Sequence, residues 1–283
     1  MPNDFNRRVI DEFRARRGRL SGPFENARLL LLTTTGARSG DPHTTPVAYL
    51  PDGGDRVLVI ASAGGSPRHP DWFRNLLARP RATVEAGAFT YEARAVVLTG
   101  EERDRAFARA VEGDPGWAAY QAKTERIIPV VALYEVERPG PPHVNASSPG
   151  EAIKVVHDAF RRELALIRQE LASGKGGTLG AQLRVNCLTF CQGLHHHHAG
   201  EDTALFPFLA GRHPRSAPVL DRLREEHERI AVLVERLRRA VSADGTAEGA
   251  RAEAVRLTEE LEAHLDREEE QLVPLLDAAT RTT

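Results

Sequence analysis

One phrase occurs twice in this chain: a histidine, a glutamate four residues on, a leucine four beyond that, and a proline two further. His197, Glu201, Leu205 and Pro207 form the first copy in HHAGEDTALFPFL, and His264, Glu268, Leu272 and Pro274 the second in HLDREEEQLVPLL. A lone histidine lies upstream of each, His157 and His227. On a helix, residues four apart share a face. A repeated His and Glu pair on one face can build a two-metal carboxylate site inside a helical bundle.

The chain is long enough for about two domains, and its texture changes once. The stretch ERPGPPHVNASSPGE is rich in proline, glycine and serine, so residues 138–150 read as a linker. Residues 1–137 ahead of it alternate short β-branched runs with helical stretches. The runs are 29–35, 57–61, 91–98 and 128–136, and the helices are 3–17, about 70–78, and 101–125 with a break at 113–115. Consecutive strands leave little room for crossovers, which predicts an antiparallel barrel. In residues 151–283 the period becomes 3.6. Four amphipathic helices are expected at 151–172, 178–209, 218–241 and 249–277. Short loops between them predict an up-down-up-down bundle, giving an α+β chain of two domains.

Distances from shared loops place the histidines. His157 lies 16 residues before Ser173 and His197 lies 19 after Thr178. Glu201 and His227 lie 10 and 9 residues from the next loop, and His227 and His264 each lie 15 from the last. In antiparallel helices equal distances mean equal height, and three residues amount to only ~4.5 Å. His157 shares its stripe with Phe160 and Leu164, His227 with Leu223 and Ile230, and His264 with Leu257 and Leu261. Those stripes face the core. So many ionisable groups in one buried layer would be very costly without a metal.

This segment resembles the hemerythrin-like (HHE) family of cation-binding four-helix bundles. The resemblance implies His157, His197, Glu201, His227, His264 and Glu268 as metal ligands. Oxygen-carrying hemerythrins place a further histidine where this chain has Ala231. His198 is the candidate replacement: it lies about 100° from His197 and about 60° from Glu201 around a helix. Five histidines, two bridging glutamates and an oxo bridge would fill about 11 of 12 positions on two octahedral irons. One position would remain for dioxygen, peroxide or nitric oxide. His195 and His196 turn further outward. Iron suits a mixed His and carboxylate set better than zinc does. Cys187 and Cys191, the only cysteines, read as buried small residues, with a redox pair as the alternative.

In the first half, three stretches stand out: LLLLTTTGARSGDPHTTPVAYL, ASAGGSPRHPDWFRNLLARP and WAAYQAKTERIIPVVALYEV. Gly36, Gly40, Gly64 and Gly65 free the backbone for turns, and exposed N–H groups at turns and helix starts bind anions. In this order the stretches resemble the deazaflavin-dependent nitroreductase family of split β-barrels. That resemblance implies coenzyme F(420) as cofactor. It would be lined by Gly36, Arg38, Ser39, His43, Thr44, Thr45 and Pro46 on one side. Ala61, Ser62, Gly64, Gly65 and Pro67 would line the other. Trp117 and Tyr120 fall at the family's substrate pocket, and Asn75 at a position that holds the loop. Ala37, His43 and Ala63 stand where members often carry basic residues, which keeps FMN open as an alternative cofactor.

The expected function is therefore a deazaflavin-dependent oxidoreductase acting on a quinone or nitro acceptor. It is fused to a di-iron domain that binds or reduces dioxygen, peroxide or nitric oxide. The alternative is a non-catalytic protein that binds or senses iron, oxygen or nitric oxide. A net charge of -2 argues against nucleic acid. No apolar run approaches a membrane span, and no signal peptide opens the chain, so the cytoplasm is the expected compartment. The first helix carries an apolar stripe, either docked on its own domain or touching a membrane surface. Homodimerisation is a family expectation.

Overall fold

The computed structural model describes residues 4–25, 27–53, 56–136, 143–173, 179–242 and 246–280. The first part of the expected linker, 138–142, residue 137 before it, and parts of two bundle loops, 174–178 and 243–245, lie outside the described residues. The chain divides into two compact units, one of residues 1–144 with Gly180–Gln182, the other of 145–179 and 183–283.

The first unit is a closed antiparallel barrel. Its strands are β1 (Leu29–Thr35), β2 (Pro42–Pro51), β3 (Arg56–Ile60), β4 (Arg81–Ala86), β5 (Phe89–Val97) and β6 (Val130–Glu135). They run in the order β4-β1-β2-β3-β6-β5, and a further β4–β5 pairing closes the ring. A two-residue strand, β7 (His143–Val144), pairs with β5 outside the ring. The sequence reading missed β2 and β4. Three prolines and the polar run His43–Thr45 disguise β2, and charged ends disguise β4.

The run Leu29–Leu32 lacks alternation because both of its faces are covered. Leu30 and Leu32 pack with Trp72, Phe73 and Leu76 of helix α2 (Asp71–Ala78) in one core. Leu29 and Leu31 pack against Val9, Ile10 and Phe13 of α1 (Asp4–Ala15) in another. The apolar stripe of the first helix is thus buried within its own unit. The break expected at 113–115 separates α3 (Gly100–Gly113) from α4 (Gly116–Ala122).

The second unit has long helices α5 (Pro149–Ser173), α6 (Ala181–Gly200), α8 (Ala217–Ala240) and α9 (Ala247–Thr280), with a short α7 (Phe206–Arg212). Leucines of α5, α8 and α9 share one core with Cys187, Phe190 and Leu194 of α6. Each fully buried leucine contributes roughly 1.5–3 kcal/mol.

The second expected helix, 178–209, is not continuous. A π turn, Glu201–Leu205, separates α6 from α7, and the Phe206 N–H bonds to the Glu201 carbonyl five residues back. Pro207 accounts for its place, since a proline ring clashes with the carbonyl four residues earlier in a regular helix. The turn shifts the buried stripe by one residue. Cys187, Cys191, Leu194, His198 and Glu201 follow helical spacing and point to 205 and 208 next, yet Phe206 and Leu209 are buried and Phe208 is 47% exposed. Pro274, in the second copy of the phrase, sits inside an unbroken α9.

Candidate metal centre and cofactor turns

Each bundle helix aims part of the repeated phrase inward. His157 comes from α5, His197 and His198 from α6, Glu201 from the first position of the π turn, His227 from α8, and His264 and Glu268 from α9. All are buried except His197, which is nearly so. Two groups of donor atoms converge within 4.8 Å: His198, His227 and His264 form one, and His157, His197, Glu201 and Glu268 the other.

The two carboxylates reach across both groups. Glu201 Oε1 lies 3.4 Å from His197 Nε2, and its Oε2 lies 3.6 Å from His227 Nε2. Glu268 Oε2 lies 3.3 Å from His157 Nε2 and 3.4 Å from His264 Nε2. All five Nε2 atoms and all four carboxylate oxygens are buried without a hydrogen-bond partner. Buried polar atoms are normally satisfied, and leaving one unmade costs about 1–3 kcal/mol. Nine converging atoms of this kind form a donor set that fits metal ions, with nitrogen and oxygen donors and no thiolate.

The far nitrogens explain the orientation. His157 Nδ1 lies 3.0 Å from Glu269, His227 Nδ1 2.9 Å from Asp202, and His264 Nδ1 2.9 Å from Glu226. A proton on each Nδ1 donates to its carboxylate and leaves the Nε2 lone pair facing inward. Arg161 braces Glu269, and Arg267 braces Glu226. The sequence reading missed these three carboxylates. Each stands next to a candidate ligand in the chain, and that adjacency was the available signal.

Burial, then neighbouring histidines, lowers His197 to about 3 and His198 to about 2, so both are neutral. Burial opposes a charge on His157 too, but the nearby Glu268 carboxylate and the hydrogen bond to Glu269 outweigh it and raise that histidine. Burial and the charge of Glu268 push Glu201 well above the carboxylate range. Glu268 is also buried, yet the rings of His157, His227 and His264 beside it hold it well below that range. His195 is exposed, His196 is not among the converging donors, and Ala231 is exposed on α8.

In the barrel, the 36–41 turn joins β1 to β2. A Cβ at Gly36 would displace two side-chain ends, lying 2.5 Å from Ser39 Oγ and 2.8 Å from His43 Nε2. Arg38 and Ser39 are exposed, while His43, Thr44, Thr45 and Pro46 lie half-buried along β2. Thr44 bonds Thr33 across the strands. Asn75 holds the turn, accepting from the Ala37 N–H at 2.9 Å and donating to Thr34 at 3.0 Å. Arg79 donates to the Gly36 carbonyl.

Ala61, Ser62, Gly64, Gly65 and Pro67 follow β3. Gly65 has φ +84°, and a Cβ there would meet the Tyr120 carbonyl at 2.8 Å. Arg126, absent from the sequence reading, pins this segment by donating to the carbonyls of Ala61, Ser62 and Ser66. Trp117 and Tyr120 meet edge to face at 6.0 Å on α4. The N–H groups of Gly36, Ala37, Gly40, Gly65 and Ser66 already serve hydrogen bonds within the protein. Anion binding by these turns therefore falls to other groups.

Comparison with known proteins agrees with both halves. The family model of F(420)H(2)-dependent quinone reductase matches residues 5–135, and that of the hemerythrin HHE cation binding domain matches residues 148–276. F(420)H(2)-dependent quinone reductases from two strains of Mycobacterium tuberculosis are 37% identical over 107 residues, covering 37% of this chain and 71% of theirs. A solved F(420)-H(2)-dependent reductase is 39% identical, covering 38% of this chain and 93% of that one, with a TM-score of 0.35. The chain belongs to the F(420)H(2)-dependent quinone reductase family through its first half and carries a hemerythrin HHE domain in its second. Among the described residues no helix is long and apolar enough to cross a membrane.

Proposed function

We propose that the chain is an oxidoreductase whose barrel reduces a quinone or nitro acceptor at the expense of reduced coenzyme F(420), and whose bundle holds two iron ions. The nine unpartnered donor atoms of the bundle carry the second part. His198, His227 and His264 would hold one ion, and His157 and His197 the other. Glu201 and Glu268 would bridge them, with an oxo group as third bridge. Iron would supply one-electron chemistry and an open position for dioxygen, peroxide or nitric oxide.

In the barrel, the deazaflavin would supply hydride. Residues 36–46 and 61–67 would hold it, with Asn75, Arg79 and Arg126 fixing their shape. Trp117 and Tyr120 would flank the acceptor and keep water from it.

The test is metal analysis and a visible spectrum of the purified protein, then anaerobic addition of reduced coenzyme F(420) with menadione. Two irons per chain and loss of the reduced cofactor are expected. Absence of both overturns the reading. His264→Ala should remove iron; if it leaves menadione reduction intact, the domains act separately.

A further inference from the structure

A cavity of about 700 Å³ opens between α6 and α8 and reaches two imidazoles of the metal centre, His198 and His227, from the outer side. Its apolar wall is Leu188, Cys191, Leu194, Ala231 and Val234. The small side chain of Ala231 keeps it open. A molecule the size of water fills roughly 30 Å³, so a diatomic gas would leave this space almost empty. Sites for organic ligands span roughly 300–1,000 Å³.

The polar lining narrows the ligand. Asp202, Glu228, Glu235 and Arg238 supply the charged lining, with Gln192 and His195 beside them, and Arg238 is already paired with Glu235 at 2.9 Å. Such a lining repels carboxylates and phosphates, including the acidic deazaflavin cofactor itself. It offers acceptors, and so favours a ligand that donates hydrogen bonds. Asp202 is the best placed: one oxygen holds His227 Nδ1, and its side chain is 34% exposed. At the inner end the cavity meets the buried His198 and His227 rings, which stack on each other at 4.1 Å and 10°.

We propose that this cavity binds a neutral, hydroxylated aromatic molecule of the hydroquinone class, with a hydroxyl donating to Asp202 and the ring against the apolar wall. A hydroquinone is what a quinone reductase releases, so the bundle would take up the product of the barrel's reaction. The choice of hydroquinone rests on the proposed activity of the barrel. The preference for a neutral hydrogen-bond donor over an anion rests on the cavity alone.

The test is benzophenone photolabelling of the full chain, iron-free and iron-loaded, with adducts mapped by mass spectrometry. Adducts are expected in peptides spanning 188–199 and 228–238. Anaerobic 1,4-naphthohydroquinone should suppress them about tenfold, equivalent to ~1.4 kcal/mol, and decanoate should not. Ala231→Trp and, separately, Leu188→Trp lie at exposed positions and should lose the adducts while keeping iron content and helicity. Adducts confined to barrel peptides, equal competition by decanoate, or labelling that survives both variants would overturn the proposal. Suppression by naphthohydroquinone in a protein that fails to oxidise reduced coenzyme F(420) would uphold the cavity and remove only the barrel's activity.

Discussion

Asp202 holds the far nitrogen of His227 at 2.9 Å and follows Glu201 directly in the chain. One pair of adjacent residues thus supplies a candidate bridging carboxylate and the carboxylate that orients another ligand. Asp202→Asn would keep the shape and lose the charge that favours the Nδ1 proton. Iron affinity should fall about 10–100-fold, read by chelator competition, with the far-ultraviolet circular dichroism unchanged.

Iron removal should lower the thermal midpoint, because it returns nine buried donor atoms to an unsatisfied state. Glu201→Leu fills a similar volume without polar atoms. In the iron-free protein it should stabilise by about 1–3 kcal/mol, and its midpoint should no longer respond to added iron. A lower iron-free midpoint than that of the unaltered protein would count against this account.

Asn75→Ala removes the two hydrogen bonds that Asn75 makes with the Ala37 N–H and the Thr34 hydroxyl at the 36–41 turn. A loss of about 1–3 kcal/mol is expected in chemical denaturation, since the Ala37 N–H and Thr34 hydroxyl lose their partner. The KM for reduced coenzyme F(420) should rise more than kcat falls.

Burial pushes the Cys191 thiol up to about 12. At pH 8 the thiolate is then scarce, and alkylation by iodoacetamide should be about a thousandfold slower than for a free thiol. Both cysteines should label after unfolding. Rapid labelling of the native protein would revive the redox-pair alternative.

The converging histidines were readable because two independent periods, the His-x-x-x-Glu spacing and the loop distances, place them at one height on one face. Ala231 was enough to draw attention to His198. The carboxylates Asp202, Glu226 and Glu269 escaped because each neighbours a candidate ligand and so lies about 100° off the buried stripe, where a charge reads as solvated. In the barrel, β1 showed through its leucines, but β2 hid behind prolines that a strand tolerates only with special placement. Arg126 gave no signal, because its role is to bind carbonyls of a distant segment.

The π turn makes the two copies of the repeated phrase mechanically unequal. It acts as a phase shift of one residue, so that Phe206 closes on the His227 ring at 5.5 Å while His198 covers the opposite side. Deleting a single residue from 203–205 would restore the regular pitch and leave Phe206 and Leu209 on the buried stripe, whereas the same deletion in a regular helix would swing everything beyond it by about 100°. The first copy therefore has one residue to spare, whereas the second, in an unbroken helix, tolerates no change in length.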